Sequence, residues 1–276
     1  MKETIKLMVK GGVIGIANII PGVSGGTMAV VLGIYEKLIE AIGNFITDRI
    51  KRKEYIVFLL KILLGAGVSI IIFSWVMDYL LTYYESYTYL FFVGLIAGSI
   101  PAIYKTHPNM KLNLPSAITF LLGVGIIIFL SLSFPENIGN PSEELEISLN
   151  IWDNGILLIA GIFSGGSMIV PGISGSFILV LMGQYHKVIR AVKNIDVIPL
   201  LFLGVGIGAG IWSFAKLIDL LLKKFPKETF YFILGLVFSS LYPIFPDLPE
   251  LFYHKVIAIF IALVAAVLSF KLGETK

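Results

Sequence analysis

Four long apolar segments limit what this chain can fold into. They cover residues 55–82, 115–134, 197–222 and 255–272. A helix needs about 20 apolar residues to cross the hydrocarbon core of a bilayer, and each segment is near or above that length. The whole chain is 57% hydrophobic and 14% charged, whereas a soluble domain carries about 25% charged residues. The sequence therefore predicts an all-α, polytopic membrane protein.

A helix-breaking phrase occurs twice in the chain. Pro-Gly-Val-Ser-Gly-Gly at 21–26 returns as Pro-Gly-Ile-Ser-Gly-Ser at 171–176, 150 positions later. Apolar sequence aligns with itself easily, and paired glycines often mean only close helix packing. The order of the further identities nevertheless favours a duplication over chance. The clearest of these pairs are Gly33/Gly183, Tyr35/Tyr185, Lys37/Lys187, Gly65/Gly206, Asp78/Asp219 and Gly94/Gly235.

The duplication predicts three parts: a first membrane repeat at 1–134, an acidic outside loop at 135–150, and a second membrane repeat at 151–276. Each repeat is expected to hold a helix, a Pro-Gly break, a second helix and three further transmembrane helices. Matching breaks in the two halves of a transporter are a sequence pointer to its binding site.

Basic residues predict the orientation, because cytoplasmic loops carry excess Lys and Arg. Lys2, Lys6 and Lys10 place the N-terminus in the cytoplasm, and the basic linker 49–53 lies on the same side. The first helix pair must then cross an even number of times. Residues 5–20 would form only about 24 Å of helix, so we expect a re-entrant pair, although two thin spans satisfy the charges equally well.

The remaining three helices of the first repeat would cross an odd number of times. The second repeat therefore starts from the opposite face, which predicts inverted topology and a cytoplasmic C-terminus. The basic residues Lys187, Arg190 and Lys193 would then lie outside, which counts against this scheme. Inverted repeats still fit the charges best.

Each break is expected to place a helix N-terminus inside the membrane. The first N–H groups of a helix have no intrahelical partner, and with the helix dipole they favour an anion. Glycines let the backbone approach closely, hydroxyls add donors, and Asn18 adds an amide. Tight helix crossing with self-satisfied hydroxyls is the alternative. The candidate anion-binding residues are Asn18, Pro21, Gly22, Ser24, Gly25, Gly26, Thr27, Pro171, Gly172, Ser174, Gly175 and Ser176.

Charged residues near the breaks are weaker candidates. On a straight helix Lys37 and Lys187 would lie about 18 Å beyond the glycines, near the membrane surface and beside Tyr35 and Tyr185. They are predicted to be aromatic-belt anchors with snorkelling lysines, or, together with Arg190, residues that collect the headgroup at the mouth of a cavity. Asp78 and Asp219 are predicted to be interfacial carboxylates, with proton coupling as the alternative.

Other site classes find no support in the sequence. The chain has no cysteine, and its three histidines show no metal-ligand spacing. No catalytic residue, metal site, cofactor or nucleic-acid partner is expected.

The stretch from Gly11 to Thr27, with its counterpart at 161–176, resembles the polyprenyl phosphate transporter family of bacteria and archaea. The resemblance covers both halves in the expected order. It implies a multi-pass protein of the cell membrane that returns undecaprenyl phosphate, the carrier lipid for cell-wall sugars, from the outer to the cytoplasmic leaflet. Ser176 and Phe177 stand where the first copy has Gly26 and Thr27, so two headgroup-binding copies would act unequally.

Two other functions stay open at this point. An undecaprenyl-diphosphate phosphatase also resembles an inverted repeat with a Pro-Gly-x-Ser turn, but that family carries Arg directly after the serine, where this chain has Gly25 and Gly175. The chain is therefore expected not to be an enzyme. A transporter of a small soluble anion would need a closed aqueous vestibule instead of a lateral opening.

The sequence does not determine whether transport is coupled to an ion, proton or sodium, or whether the protein forms a homo-oligomer.

Overall fold

The described residues of this chain form thirteen helices and no strand. The computed structural model describes residues 2–20, 23–105, 110–133, 151–249 and 251–274. The helices are α1 Lys2–Ile19, α2 Gly25–Val31, α3 Tyr35–Asn44, α4 Arg52–Tyr83, α5 Glu85–Lys105, α6 Leu114–Ser133, α7 Ile151–Ile169, α8 Gly175–Leu181, α9 Tyr185–Asn194, α10 Val197–Lys224, α11 Pro226–Ser239, α12 Leu241–Ile244 and α13 Phe252–Glu274.

Five helices of the described chain are long and apolar enough to cross a membrane, namely α4, α5, α6, α10 and α13. The bounds of α4, α6, α10 and α13 agree closely with the four apolar segments of the sequence. Large apolar side chains on α4 point outward, and Leu63, Ile71 and Trp75 are 71%, 75% and 83% exposed. Such a surface suits lipid, because apolar patches of this extent are rare on soluble monomers. The prediction of an all-α, polytopic membrane protein is confirmed.

Glycines set the helix packing within each half. Helix α1 packs along α4, and α7 packs along α10. A Cβ atom added to Gly65 on α4 would lie 2.0 Å from the Met8 carbonyl oxygen, and one on Gly206 of α10 would lie 2.2 Å from that of Leu158. Only glycine allows these backbones to approach so closely. The two pairs therefore use repeat-related glycines in the same way.

The two halves of the chain interleave. Helix α5 packs against α13 of the second half, and α11 packs against α6 of the first. Glycine again permits the contact, since a Cβ on Gly94 would lie 2.1 Å from the Ala262 oxygen and one on Gly235 would lie 2.2 Å from the Phe120 oxygen. The two halves are thus joined by helices of one half that pack against helices of the other.

The segment after each break differs from the sequence prediction. A single second helix was expected, but a helix of 7 residues is followed by a turn and a helix of 10 residues in both halves. Gly33 and Gly183 lie in these turns with φ of 60° and 67°, a region that favours glycine and ends a right-handed helix. We call α2–α3 the first arm and α8–α9 the second arm. Inverted topology and re-entry stay predictions.

Candidate functional site

The two helix breaks meet inside the molecule. Three side chains of the first arm and its N-cap contact the backbone of the second break at 169–172. The Gly172 N–H donates to Thr27 Oγ1 at 2.8 Å, the Tyr35 hydroxyl donates to the Ile169 oxygen at 3.2 Å, and the Ser24 hydroxyl donates to the Val170 oxygen at 3.4 Å. The chain thus brings together segments about 150 positions apart in sequence.

The hydroxyl groups of the first break are buried. Ser24 and Thr27 are only 4% and 1% exposed, and Ser24 occupies the N-cap position of α2 without a side-chain capping bond. Asn18 supplies the missing cap, because its Oδ1 accepts from the Gly25 N–H at 3.1 Å. A Cβ on Gly26 would lie 2.8 Å from the Ile169 oxygen, so glycine lets the two breaks touch. Pro21 and Gly22 lie outside the described residues.

The second break is more open. Ser174 is the N-cap of α8 and accepts from the Phe177 N–H at 3.3 Å. Its Oγ lies 3.2 Å from that of Ser176, and Ser174 is half-buried while Ser176 is exposed. Ser164 donates to the Gly175 oxygen at 2.9 Å. The second copy therefore presents a pair of hydroxyls that the first copy does not.

The conformation of Gly172 holds the second break at the centre of the molecule. Its φ is +82°, and an added Cβ would lie 3.0 Å from the Leu236 oxygen on α11 and 3.2 Å from Ile127 on α6. Pro171 beside it is fully buried. Any larger residue at 172 would meet both an unfavourable backbone conformation and neighbouring helices.

The half-helices are shorter than the sequence suggested. Both α2 and α8 have 7 residues, about 10 Å of helix, so each macrodipole sums over few peptide units. Anion binding at the breaks would therefore depend mainly on local N–H and hydroxyl donors.

An apolar cavity of about 390 Å³ lies beside the second break. Val170 and Ile173 of the break form one side of it, and α7, α8 and α10 form the rest. The other lining residues are Phe163, Ser167, Ile178, Leu181, Met182 and Phe214. Its size falls within the usual range for small-molecule sites, and its mostly apolar lining suits a hydrocarbon chain.

The cationic candidates lie on the longer helices of the arms. Lys37 on α3 is ion-paired with Glu54 of α4 at 3.3 Å and lies 5.2 Å from the centre of the Phe58 ring. Lys187 on α9 is half-buried and Arg190 is exposed. Lys37 thus connects the first arm to α4 through an ion pair and a cation–π contact.

Tyr35 does not have the exposed position that was expected of an aromatic-belt anchor. The residue is 5% exposed, and its hydroxyl contacts the second break. The expectation assumed one straight helix, whereas the chain turns at Gly33, where φ is 60°, before α3 begins at Tyr35. A glycine two residues before a repeated tyrosine was the signal in the sequence that could have indicated this.

Asp219 also differs from its prediction, although its partner in the repeat does not. Asp78 is exposed, as expected of an interfacial carboxylate, but Asp219 is only 6% exposed. Helix α3 covers it, and the Asn44 Nδ2 donates to its Oδ2 at 2.8 Å. Lys223 forms an ion pair with it at 2.7 Å, and Lys216 donates to Asn44 Oδ1 at 2.6 Å. We call Asn44, Lys216, Asp219 and Lys223 the α3–α10 cluster.

Metal-ligating side chains do not gather in the part of the chain that the structure describes. No group of three or more His, Cys, Asp or Glu residues there could hold a metal ion.

Comparison with known proteins gives two relatives and one family. Residues 14–264 match the family described as VCA0040-like, undecaprenyl phosphate translocase-like. A polyprenyl-phosphate transporter of Staphylococcus aureus is 31% identical over 274 residues, which cover 97% of this chain and 95% of the relative. A protein of the same name from Vibrio cholerae is 31% identical over 252 residues, covering 86% of this chain and 76% of the relative. No solved structure matches the chain.

Proposed function

The chain belongs to the undecaprenyl phosphate translocase-like family, and on that premise we propose that it moves polyprenyl phosphate from the outer to the cytoplasmic leaflet of the cell membrane. The phosphate headgroup binds at the paired breaks, where Ser174, Ser176 and Asn18 supply the accessible donors. The prenyl tail lies in the apolar cavity beside them. The protein acts as a transporter and not as an enzyme.

One observation carries this proposal most directly. The two breaks meet among apolar helices, and the second break carries both a pair of hydroxyls, Ser174 and Ser176, and two residues, Val170 and Ile173, that line an apolar cavity. A lipid phosphate has the same two-part chemistry, a compact anion joined to an apolar chain. Non-helical backbone at membrane depth is tolerated where protein or a wet cavity surrounds it, which fits a headgroup path through this point.

Contacts between segments of the chain agree with the sides that the charge pattern assigns to them in the proposed orientation, in which both termini are cytoplasmic. Segments that the charge pattern assigns to the same side touch one another. On the cytoplasmic side, Tyr231 donates to the Met110 oxygen at 2.9 Å and Lys216 donates to Thr47 at 3.2 Å. On the outer side, Ser86 donates to the Asp247 oxygen at 2.8 Å. The inverted arrangement of the repeats is consistent with these pairs.

Transport can be measured in vesicles that contain the purified protein and prenyl phosphate in both leaflets. A phosphatase that cannot cross the membrane is added outside, so that it hydrolyses only the lipid in the outer leaflet. If the protein moves the lipid between leaflets, nearly all of it becomes accessible with time. In protein-free vesicles the accessible share stops at the outer-leaflet content, and the same plateau with protein present would contradict the proposal.

Variants connect this activity to the breaks. Ser174→Ala combined with Ser176→Ala should slow translocation by about tenfold, because each hydroxyl contributes roughly 0.5–1.5 kcal/mol of hydrogen bonding. Ser74→Ala is the matched control, since the Ser74 hydroxyl bonds only to the Ile71 oxygen of its own helix among the described residues. Equal rates in the double variant and the control would place the headgroup elsewhere.

The same preparation separates the alternative functions. A phosphatase-like enzyme would release phosphate from prenyl diphosphate when no other enzyme is added. A transporter of small anions would carry inorganic phosphate into the vesicle lumen. Either result without movement of the lipid would overturn the proposed substrate.

A further inference from the structure

The two breaks are repeat-related in sequence, yet they are not held in the same way. The first break is capped from within its own half, by Asn18 on the Gly25 N–H. The second break forms three hydrogen bonds with the other half: its Val170 and Ile169 oxygens accept from Ser24 and Tyr35, and its Gly172 N–H donates to Thr27. Residues 169–172 therefore depend on the first arm for their backbone partners.

These bonds fall on groups that α7 cannot satisfy. The last carbonyls of a helix have no intrahelical donor, and the oxygen of Ile169 is of this kind. The Val170 oxygen, one residue beyond α7, accepts from the Ile173 N–H at 3.4 Å as well as from Ser24. The Gly172 N–H, in the left-handed conformation at φ +82°, finds its acceptor in the Thr27 hydroxyl. An unpaired buried backbone group costs about 1–3 kcal/mol, so the three side chains stabilise one conformation of the second break.

The second copy keeps Ser174 and Tyr185 at the positions equivalent to Ser24 and Tyr35, but it lacks a counterpart of the Thr27 hydroxyl. Phe177 occupies the position equivalent to Thr27 and has no hydroxyl, and Ser176 replaces Gly26. Ser174 pairs with Ser176 and with the Phe177 N–H instead of contacting the first break.

We propose that Thr27, Tyr35 and Ser24 are positioning residues, which fix the backbone at 169–172 and so aim the Ser174 and Ser176 hydroxyls at the phosphate headgroup. This inference rests on the proposed function. The two copies then have different roles. Ser24, Thr27 and Tyr35 of the first copy orient the second break, and the Ser174 and Ser176 hydroxyls of the second copy contact the ligand together with Asn18. Thr27 carries the largest share, because its bond is the shortest of the three.

The vesicle assay tests this through apparent affinity, measured from initial rates at several contents of prenyl phosphate. Thr27→Val removes the acceptor at nearly constant volume and should weaken apparent affinity by about tenfold. Thr27→Ser keeps the hydroxyl and should restore affinity to within about twofold of the original chain, since the same hydrogen bond is retained. An unchanged affinity in Thr27→Val, or no rescue by serine, would overturn the inference.

A double-mutant cycle distinguishes positioning from general stability. If Thr27 acts through the two serines, Thr27→Val should have less than about a twofold further effect when Ser174→Ala and Ser176→Ala are already present, because coupled residues are not additive. Independent effects that multiply would mean that Thr27 acts structurally or touches the headgroup itself, and would refute its positioning role.

Tyr35→Phe keeps the inference testable if Thr27→Val does not fold. It removes one hydroxyl and should weaken apparent affinity several-fold, whereas Tyr185→Phe, the repeat-related control, should not. Equal effects of the two changes would contradict the assignment. Failure of the unchanged chain to move prenyl phosphate would instead refute the proposed function, so the two claims fail separately.

Discussion

Gly65 and Gly67 lie two positions apart on α4, but their surroundings are opposite. A Cβ on Gly65 would overlap the backbone of α1 at Met8, whereas one on Gly67 would meet no described atom within 4 Å. The repeat-related Gly206 and Gly208 on α10 show the same contrast. At the residue scale, one glycine of each pair brings two helices together and the other borders open space.

Alanine substitutions should separate these roles. Gly65→Ala and Gly206→Ala force backbones apart and should lower the free energy of unfolding by about 1–3 kcal/mol, as overpacked cores do. Gly67→Ala and Gly208→Ala should leave it unchanged or raise it by roughly 0.5–1 kcal/mol, since alanine favours a helix. Thermal unfolding in detergent, with all four purified in parallel, measures this. Equal losses at the four positions would contradict the packing described.

The sequence could predict that these glycines matter, but not which of them lies at an interface. Glycine spacing indicates close packing, and the face that each residue presents depends on where the partner helix lies. The sequence likewise does not show which groups a hydroxyl contacts, and the Ser24 and Thr27 hydroxyls were expected to bind a ligand. Their actual partners at Val170 and Gly172 lie in the other half of the chain.

The packing of the two arms is another feature that the sequence could not predict. They have identical helix lengths, but α3 of the first arm packs on both α4 and α10, whereas α9 of the second arm packs on α10 and α8 of its own half. The α3–α10 cluster joins residues 175 positions apart through Asn44 and Asp219. Apolar segment length predicted the long helices because each must span the membrane, whereas arm docking depends on contacts that repeated sequence does not specify.

The α3–α10 cluster should stabilise the docking of the first arm. Asp219→Ala removes one of the two acceptors of the Asn44 amide, which also donates to the Glu40 oxygen, and leaves Lys223 without its ion-pair partner. The free energy of unfolding should therefore fall by about 1–3 kcal/mol. Asp78→Ala, at the exposed repeat-related position, should change it by less than about 0.5 kcal/mol. Urea unfolding of the two variants side by side provides the measurement. The docking role is refuted if Asp78→Ala costs as much as Asp219→Ala.

At the scale of the whole molecule, two interleaved halves surround one point where both breaks meet. Helices α5 and α11 each pack on the last long helix of the other half, and the second break lies against α6 and α11. Movement of either arm would therefore displace the breaks. This arrangement supports a single headgroup site shared by the halves, with the open side at the second copy.

The most direct test of that shared site uses the absence of cysteine from the chain. Ser176→Cys introduces one thiol at the exposed hydroxyl position of the second break, and Lys53→Cys introduces one in the basic linker as a control. The rate at which a charged, water-soluble thiol reagent modifies each protein is measured with no lipid, with prenyl phosphate, or with the uncharged prenol of equal length. We predict that prenyl phosphate, but not prenol, slows modification at position 176 and leaves position 53 unaffected. Modification at 176 that prenyl phosphate does not slow, or that prenol slows equally, would contradict a headgroup site at the paired breaks.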